Sequence, residues 1–114
     1  AAGVIVSNHG GRTLDTVSPT AHVLPHIADA LAGGLPLLVD GGIRRGTDVL
    51  KAMALGASAV LIGRPYIYGL ANAGALGVAH VIRLLRDELE IAMALSGSKT
   101  LDAIPAGLVK AVLP

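Results

Sequence analysis

The sequence contains no cysteine, no tryptophan and no phenylalanine, and only two tyrosines. Without cysteine the chain can form no disulfide, no thiolate metal site and no cysteine nucleophile. Because 53% of the residues are hydrophobic but only 2% are aromatic, alanine, valine, isoleucine and leucine must fill the interior. Such a chain is expected to fold, since its apolar surface is large enough to offset the entropy lost on ordering.

Charge is also scarce in this sequence. Charged residues make up 15% of the chain and the net charge is +1. A general binder of nucleic acid or of a membrane surface needs a surplus of basic residues, so neither partner is predicted. No basic leader precedes the first apolar residues, and glycines interrupt the most apolar stretch. We therefore expect a soluble protein, and the absence of cysteine is compatible with the cytoplasm.

The length of 114 residues is typical of one domain with a modest core. The chain has no initiator methionine, and an apolar strand begins almost at its first residue. We therefore expect residues 1–114 to be part of a longer protein.

Three short apolar runs predict β-strands: GVIVSN (3–8), LPLLVDGG (35–42) and AVLIGRP (59–65). None of them alternates with polar residues, which favours parallel strands that are covered on both faces. Helical patterns lie between the runs, so the predicted order is β-α-β-α-β-α. Right-handed crossovers then bring the carboxyl ends of all three strands to one edge of an α/β sheet, where such folds bind ligands.

The helices between the strands have recognisable ends. Ser18 is predicted to cap the first helix, with Pro19 at its first position, and the helix is expected to stop at Gly33-Gly34. Pro25 is expected to kink this helix or to split it after the preceding residue. The second helix is predicted from Thr47 and Asp48 to Gly56. Residues 65–77 are ambiguous, and an amphipathic pattern then predicts a long helix that closes at Gly97.

Two glycine-arginine stretches follow the second and third strands. DGGIRRG (40–46) combines an acid, two glycines and two arginines with a helix start, and IGRP (62–65) repeats the glycine-arginine pair. Free amides at a helix start favour an anion, and a guanidinium can bind phosphate through two hydrogen bonds. The simpler interpretation is tight turns with solvated charges. Because both stretches lie on one predicted edge, we favour a phosphate site.

The stretch SNHGGRTLD (7–15) follows the first strand. His9 can take up and return a proton near neutral pH, and Arg12 can hold a carboxylate through two hydrogen bonds. The alternative is a hydrogen-bonded turn histidine beside a surface arginine.

These stretches, together with RDELEIAMALSG (86–97), resemble the carboxyl-terminal part of the FMN-dependent α-hydroxy acid oxidases and dehydrogenases. The resemblance covers residues 1–104. It implies an eight-stranded β/α (TIM) barrel, of which this chain would hold strands six to eight with their helices. The amino-terminal part of the barrel, with active-site tyrosines, a lysine and the aspartate that orients the histidine, would then be missing from this chain.

The resemblance also implies roles for individual residues. His9 would be the catalytic base, Arg12 would bind the substrate carboxylate, Ser7 would contact the flavin and Asp40 would bond the ribityl hydroxyls of FMN. The phosphate cradle would comprise Gly41, Gly42, Ile43, Arg44, Gly63 and Arg64. One departure is Thr13, where many members of the family have glutamine.

The implied reaction oxidises a small L-2-hydroxy acid to the 2-oxo acid while FMN is reduced, with no metal and with a homotetramer as a possible assembly. Whether the proton leaves the α-carbon or the hydroxyl group is left open. Two alternatives remain: a non-catalytic fragment that binds phosphate or FMN, and a different phosphate-binding barrel enzyme related to the inosine-monophosphate dehydrogenases. The latter explains DGGIRRG but not SNHGGR.

Overall fold

The computed structural model describes residues 1–110 and contains one three-stranded parallel sheet. Its strands are β1 (Val4–Val6), β2 (Leu37–Val39) and β3 (Ala59–Val60), in the order β1-β2-β3. Val4 lies opposite Leu37, and Val39 lies opposite Val60. The predicted order and parallel sense are confirmed, but each strand is shorter than its apolar run.

Helix α1 (Thr20–Leu31) joins β1 to β2, and its first turn differs from the prediction. Pro19 has a ψ of 140°, which is extended backbone, so the helix begins one residue later than predicted and Ser18 does not cap it. Pro25 neither splits the helix nor disturbs its backbone dihedrals. Pro25 lacks an N–H for the carbonyl of Ala21, but Ala21 is exposed and water can take that place.

Helix α2 (Gly46–Ala54) joins β2 to β3 and has the predicted position. The Asp48 carboxylate accepts hydrogen bonds from the amides of Arg44 and Arg45, each at 3.0 Å. Gly56 follows the helix with a φ of 103°, a left-handed backbone that favours glycine. The prediction for this helix is confirmed.

Helix α3 (Arg64–Leu95) covers both the ambiguous residues 65–77 and the predicted amphipathic helix. Non-helical dihedrals at Ala73 and Gly74 divide it into two pieces. The pieces approach so closely that a Cβ atom on Gly77 would clash with the carbonyl oxygen of Gly69. The helix therefore folds back on itself at the break.

Two ion pairs lie on the exposed side of α3. Arg83 Nε donates to Asp87 at 2.8 Å, and Arg86 Nε donates to Glu90 at 2.7 Å. The hydrogen bond to Glu90 raises the pKa of Arg86 above its ordinary value. Both pairs are exposed, so they contribute little to stability.

By length and composition, α3 is the one helix of the described chain that could cross a membrane. The apolar part of α3 precedes Arg83, and the break at Ala73 and Gly74 divides it. A spanning helix needs about 20 consecutive apolar residues in one rod. The break argues against a membrane span here.

The core lies between the sheet and helices α1 and α2, and its members are small or branched aliphatic residues. They are Val6, Leu24, Leu37, Val39, Ile43, Ala52 and Ala57. Ile5 points to the opposite face of the sheet and is 59% exposed. Helices therefore cover one face in the described residues, whereas coverage of both faces was predicted.

Candidate functional site

A cleft of about 420 Å³ lies at the carboxyl edge of the sheet, as the strand order predicts. Nine of the ten predicted site residues line it, and Ser7 is the exception. The nine are His9, Arg12, Asp40, Gly41, Gly42, Ile43, Arg44, Gly63 and Arg64. The three sequence stretches therefore form a single cleft that carries three arginines and an imidazole.

The turn that follows β1 has an unusual backbone. His9, Gly10 and Gly11 have φ values of 55°, 65° and 73°, all in the left-handed region. Two side chains hold this turn: Ser7 Oγ accepts from the His9 amide at 3.1 Å, and Asn8 Oδ1 accepts from the Gly10 amide at 3.0 Å. A left-handed histidine is uncommon, and such residues cluster at functional sites.

The His9 ring has one side-chain partner in the described part of the chain. Its Nδ1 atom lies 2.6 Å from the hydroxyl oxygen of Thr13, four residues later. Thr13 is therefore in contact with the imidazole, although the sequence only placed it beside the site.

Asp40 follows β2, and one of its two carboxylate oxygens has a hydrogen-bond partner. Ser7 Oγ donates to Asp40 Oδ2 at 2.9 Å, whereas Oδ1 is buried without a hydrogen-bond partner among the described residues. The buried Thr20 hydroxyl donates to the Asp40 carbonyl at 2.6 Å and fixes the end of the strand. A buried carboxylate oxygen without a donor is costly, so the site is suited to a ligand that supplies a hydroxyl or amide hydrogen.

Arg64 connects the loop after β3 with the turn after β1. Its Nη2 atom donates to the Gly10 carbonyl at 3.3 Å. A Cβ atom on Gly10 would lie 3.1 Å from the same nitrogen, so any larger residue would press on the guanidinium. The left-handed φ of 65° is the main reason for glycine at position 10, and this contact adds to it.

Three of the amides at the amino terminus of α2 are already bonded within the chain. Asp48 accepts from the amides of Arg44 and Arg45, and Glu88 of α3 accepts from the Gly46 amide at 2.8 Å. These carboxylates occupy the amides of residues 44–46, so those three amides are not free for an anion, unlike the sequence prediction. The guanidinium groups of the cleft and the start of α3 at Arg64 are further donors for an anion.

Sequence reasoning missed several residues of the site. Thr20 was not among the predicted residues, because nothing local in the sequence indicates its bond to Asp40 at the end of β2. The apolar wall of the cleft was also missed; it consists of Leu61, Ile62, Pro65, Tyr66 and Ile67. The polar donors thus face an apolar wall, an arrangement typical of a small-molecule site.

The fold and cleft define a parallel α/β unit whose carboxyl edge carries three arginines and a histidine. The model of the FMN-dependent dehydrogenase family matches residues 1–111. The chain belongs to this family, and the cofactor of the family is FMN.

The chain is 57% identical over 108 residues to a peroxisomal (S)-2-hydroxyacid oxidase of Arabidopsis thaliana, covering 95% of this chain and 30% of the relative. It is 56% identical over 109 residues to an L-lactate oxidase of Roseobacter sp. (strain GAI101), covering 96% of this chain and 30% of the relative. A structure of mandelate oxidase with (S)-2-phenylpropionate superposes with a TM-score of 0.90 at 52% identity, covering 93% of this chain and 32% of that one. The chain therefore spans less than a third of the length of the curated relatives it matches.

Proposed function

We propose that residues 1–114 form the carboxyl-terminal portion, strands six to eight with their helices, of an eight-stranded β/α barrel. In that barrel the protein would oxidise an L-2-hydroxy acid to the 2-oxo acid with FMN. The observation that carries this proposal is the single cleft that combines His9 and Arg12 with Arg44 and Arg64. Ligand sites of β/α barrels lie at this edge, and their phosphate sites commonly use the loops after the last two strands.

The residues present fit FMN at two places. The buried Asp40 Oδ1 atom needs a hydrogen-bond donor, which the ribityl hydroxyls would provide, with Ser7 held beside it. Space is open where a Cβ atom would stand on Gly63, so an anion can approach the start of α3. The phosphate would lie there against Arg44 and Arg64, and the backbone of residues 41–43 would line the cradle.

FMN would accept the two electrons that leave the substrate. Arg12 would hold the substrate carboxylate through two hydrogen bonds, which orients the α-carbon toward His9. His9 would then take up the proton that leaves the α-carbon or the hydroxyl group. The apolar wall around Tyr66 and Ile67 would limit access of water to the reacting atoms.

The remaining part of such a barrel is the partner that this chain requires. The open sheet face carries Ile5 at 59% exposure, and Leu61 near the cleft is 39% exposed. Strands β1 and β3 each have one neighbour in the described sheet, so each presents an edge that another strand would pair. A homotetramer stays a prediction. A cytoplasmic location also stays a prediction, since the names of the relatives include peroxisomal enzymes.

The function can be tested in a barrel chimera, in which this chain replaces the matching third of the mandelate oxidase. We expect the chimera to retain FMN and to lose its yellow flavin absorbance when mixed without oxygen with L-lactate, glycolate or (S)-mandelate. The parent mandelate oxidase is the positive control. A folded, flavin-loaded chimera that none of these acids bleaches would contradict the proposed function.

Arg12 provides a second prediction. In the barrel chimera, Arg12→Lys and Arg12→Met are expected to lower kcat/KM about tenfold to a hundredfold, because a hydrogen bond to a charged group is worth about 1.5–3 kcal/mol. Lysine should retain more activity than methionine, since it keeps the charge but not the paired donors. Steady-state kinetics measure the effect.

The matched control is Arg86→Lys, an exposed arginine of α3 that pairs with Glu90. This variant should have the kinetics of the unaltered chimera. If the Arg12 variants had the same kcat/KM as the Arg86 variant, Arg12 could not be the residue that binds the substrate carboxylate.

A further inference from the structure

Thr20 is a buried polar residue whose hydroxyl has no role in the reaction as described so far. Its residue surface is 3% exposed, and residues of this chain alone enclose it, so the rest of a barrel cannot replace its contacts. The hydroxyl donates to the Asp40 carbonyl at 2.6 Å and lies 3.4 Å from the Gly41 carbonyl oxygen. A buried hydroxyl needs such a partner, because leaving it without one is costly.

Asp40 is held by three hydrogen bonds from within the chain. Its amide donates to the Val6 carbonyl at 3.0 Å, its carbonyl accepts from Thr20, and its Oδ2 atom accepts from Ser7. Of the polar atoms of Asp40, Oδ1 alone then lacks a partner among the described residues. The main chain and one carboxylate oxygen are thus fixed, which leaves the other oxygen for a ligand.

The peptide group between Asp40 and Gly41 packs against Thr20. Gly41 has a left-handed φ of 90°, and a Cβ atom placed on it would lie 2.9 Å from Thr20 Oγ1. Asp40 and Gly41 both line the cleft, whereas Thr20 does not. Thr20 can therefore act on a bound ligand only through the peptide group that it holds.

We propose that Thr20 is a positioning residue of the cofactor site, whose hydroxyl holds the Asp40–Gly41 peptide so that the Asp40 carboxylate keeps one oxygen in place for a hydroxyl group of the ligand. This inference rests on the proposed function, in which that hydroxyl group belongs to the ribityl chain of FMN. Without the Thr20 hydroxyl, the Asp40 carbonyl loses its donor and the peptide group can rotate. The apparent affinity for the ligand then falls with the fraction of molecules whose carboxylate is out of place.

The test is a titration of the FMN-free barrel chimera with FMN, followed by flavin fluorescence. We expect Thr20→Val, which keeps the shape but removes the hydroxyl, to raise the Kd for FMN about tenfold, the size of effect that one hydrogen bond can carry. Thr20→Ser keeps the hydroxyl and should restore most of the affinity. Thr20→Ala removes the same hydroxyl with less bulk, so it should show the same loss and serves if valine prevents folding.

Ser58→Ala is the matched control for these variants. Ser58 Oγ accepts from the Leu37 amide at 3.2 Å, at the opposite end of the strand that Asp40 follows. The substitution therefore removes a side-chain bond to the same strand, away from the cleft. Urea titration should show that Ser58→Ala and Thr20→Val are both less stable than the unaltered chimera, whereas Thr20→Val alone should bind FMN more weakly.

A double variant tests whether Thr20 acts through Asp40. In Asp40→Ala the carboxylate is absent, so the addition of Thr20→Val should weaken FMN binding no further. Additive losses in the double variant would overturn the proposal. An unchanged Kd in Thr20→Val, or equal losses in Thr20→Val and Thr20→Ser, would overturn it as well.

A second readout needs no flavin. Because the Asp40 amide is bonded to the Val6 carbonyl, its deuterium exchange in the FMN-free chimera should be faster with Thr20→Val and unchanged with Ser58→Ala. An unchanged exchange rate in Thr20→Val would show that Thr20 does not hold Asp40. If the unaltered chimera binds no FMN, or if no acid bleaches it, the proposed function fails, while the exchange rate still decides whether Thr20 holds Asp40.

Discussion

Replacing His9 with asparagine in the barrel chimera is expected to slow flavin reduction by about 10²- to 10⁴-fold, the usual contribution of a positioned acid–base group. Asparagine is chosen because, like histidine, it tolerates the left-handed backbone at this position, where φ is 55°. The turn should therefore keep its shape while the proton acceptor is lost. Stopped-flow absorbance of the flavin measures the rate.

His26→Asn is the matched control, since His26 is exposed on α1 and does not line the cleft. We expect this variant to reduce its flavin at the rate of the unaltered chimera. If His9→Asn retained both its FMN and its full rate, the imidazole could not be the base, and the proposed mechanism would be wrong.

The largest effect on stability is expected for Gly77→Ala. Alanine normally stabilises a helix relative to glycine by about 1 kcal/mol. At Gly77, however, the added carbon would clash with the Gly69 carbonyl oxygen, a main-chain atom that cannot rotate away. We expect the free energy of unfolding to fall by about 3 kcal/mol, the upper end of typical overpacking costs. Urea titration of the barrel chimera measures it.

Gly107→Ala is the control for this substitution. No atom lies within 4 Å of the position where its Cβ would stand, and its φ is outside the left-handed region. Its effect should stay within about 0.5 kcal/mol. A Gly77→Ala variant as stable as Gly107→Ala would show that the two pieces of α3 are not in close contact.

The sequence predicted the elements that depend on local patterns. The three apolar runs, the glycine stops and the Asp48 cap all involve residues within a few positions of one another, and the structure confirms them. Helix α1 begins one residue later than predicted, at Thr20, whose hydroxyl donates to the Asp40 carbonyl at the end of β2. Such a bond joins residues 20 positions apart and leaves no local pattern.

The residues of the predicted anion site lie together, although some of the predicted amide donors are already bonded within the chain. The arginines and glycines do converge on one cleft, because parallel strands bring their carboxyl ends together. The amides at the start of α2 were counted as free, yet Glu88 reaches Gly46 from 42 positions along the chain. The break at Ala73 and Gly74 lies within residues 65–77, which the sequence left ambiguous.

Ser7 connects the ends of two neighbouring strands, β1 and β2, through hydrogen bonds. Its hydroxyl accepts a hydrogen bond from the main chain of His9 and donates one to the carboxylate of Asp40. Hydrogen bonds therefore join His9, Ser7 and Asp40 in one chain between the ends of neighbouring strands. Hydrogen bonds in such a chain strengthen one another. A ligand that bonds to the free oxygen of Asp40 would therefore also affect the hydrogen bond that holds the main chain of His9. The ends of β1 and β2 would then respond to the ligand together.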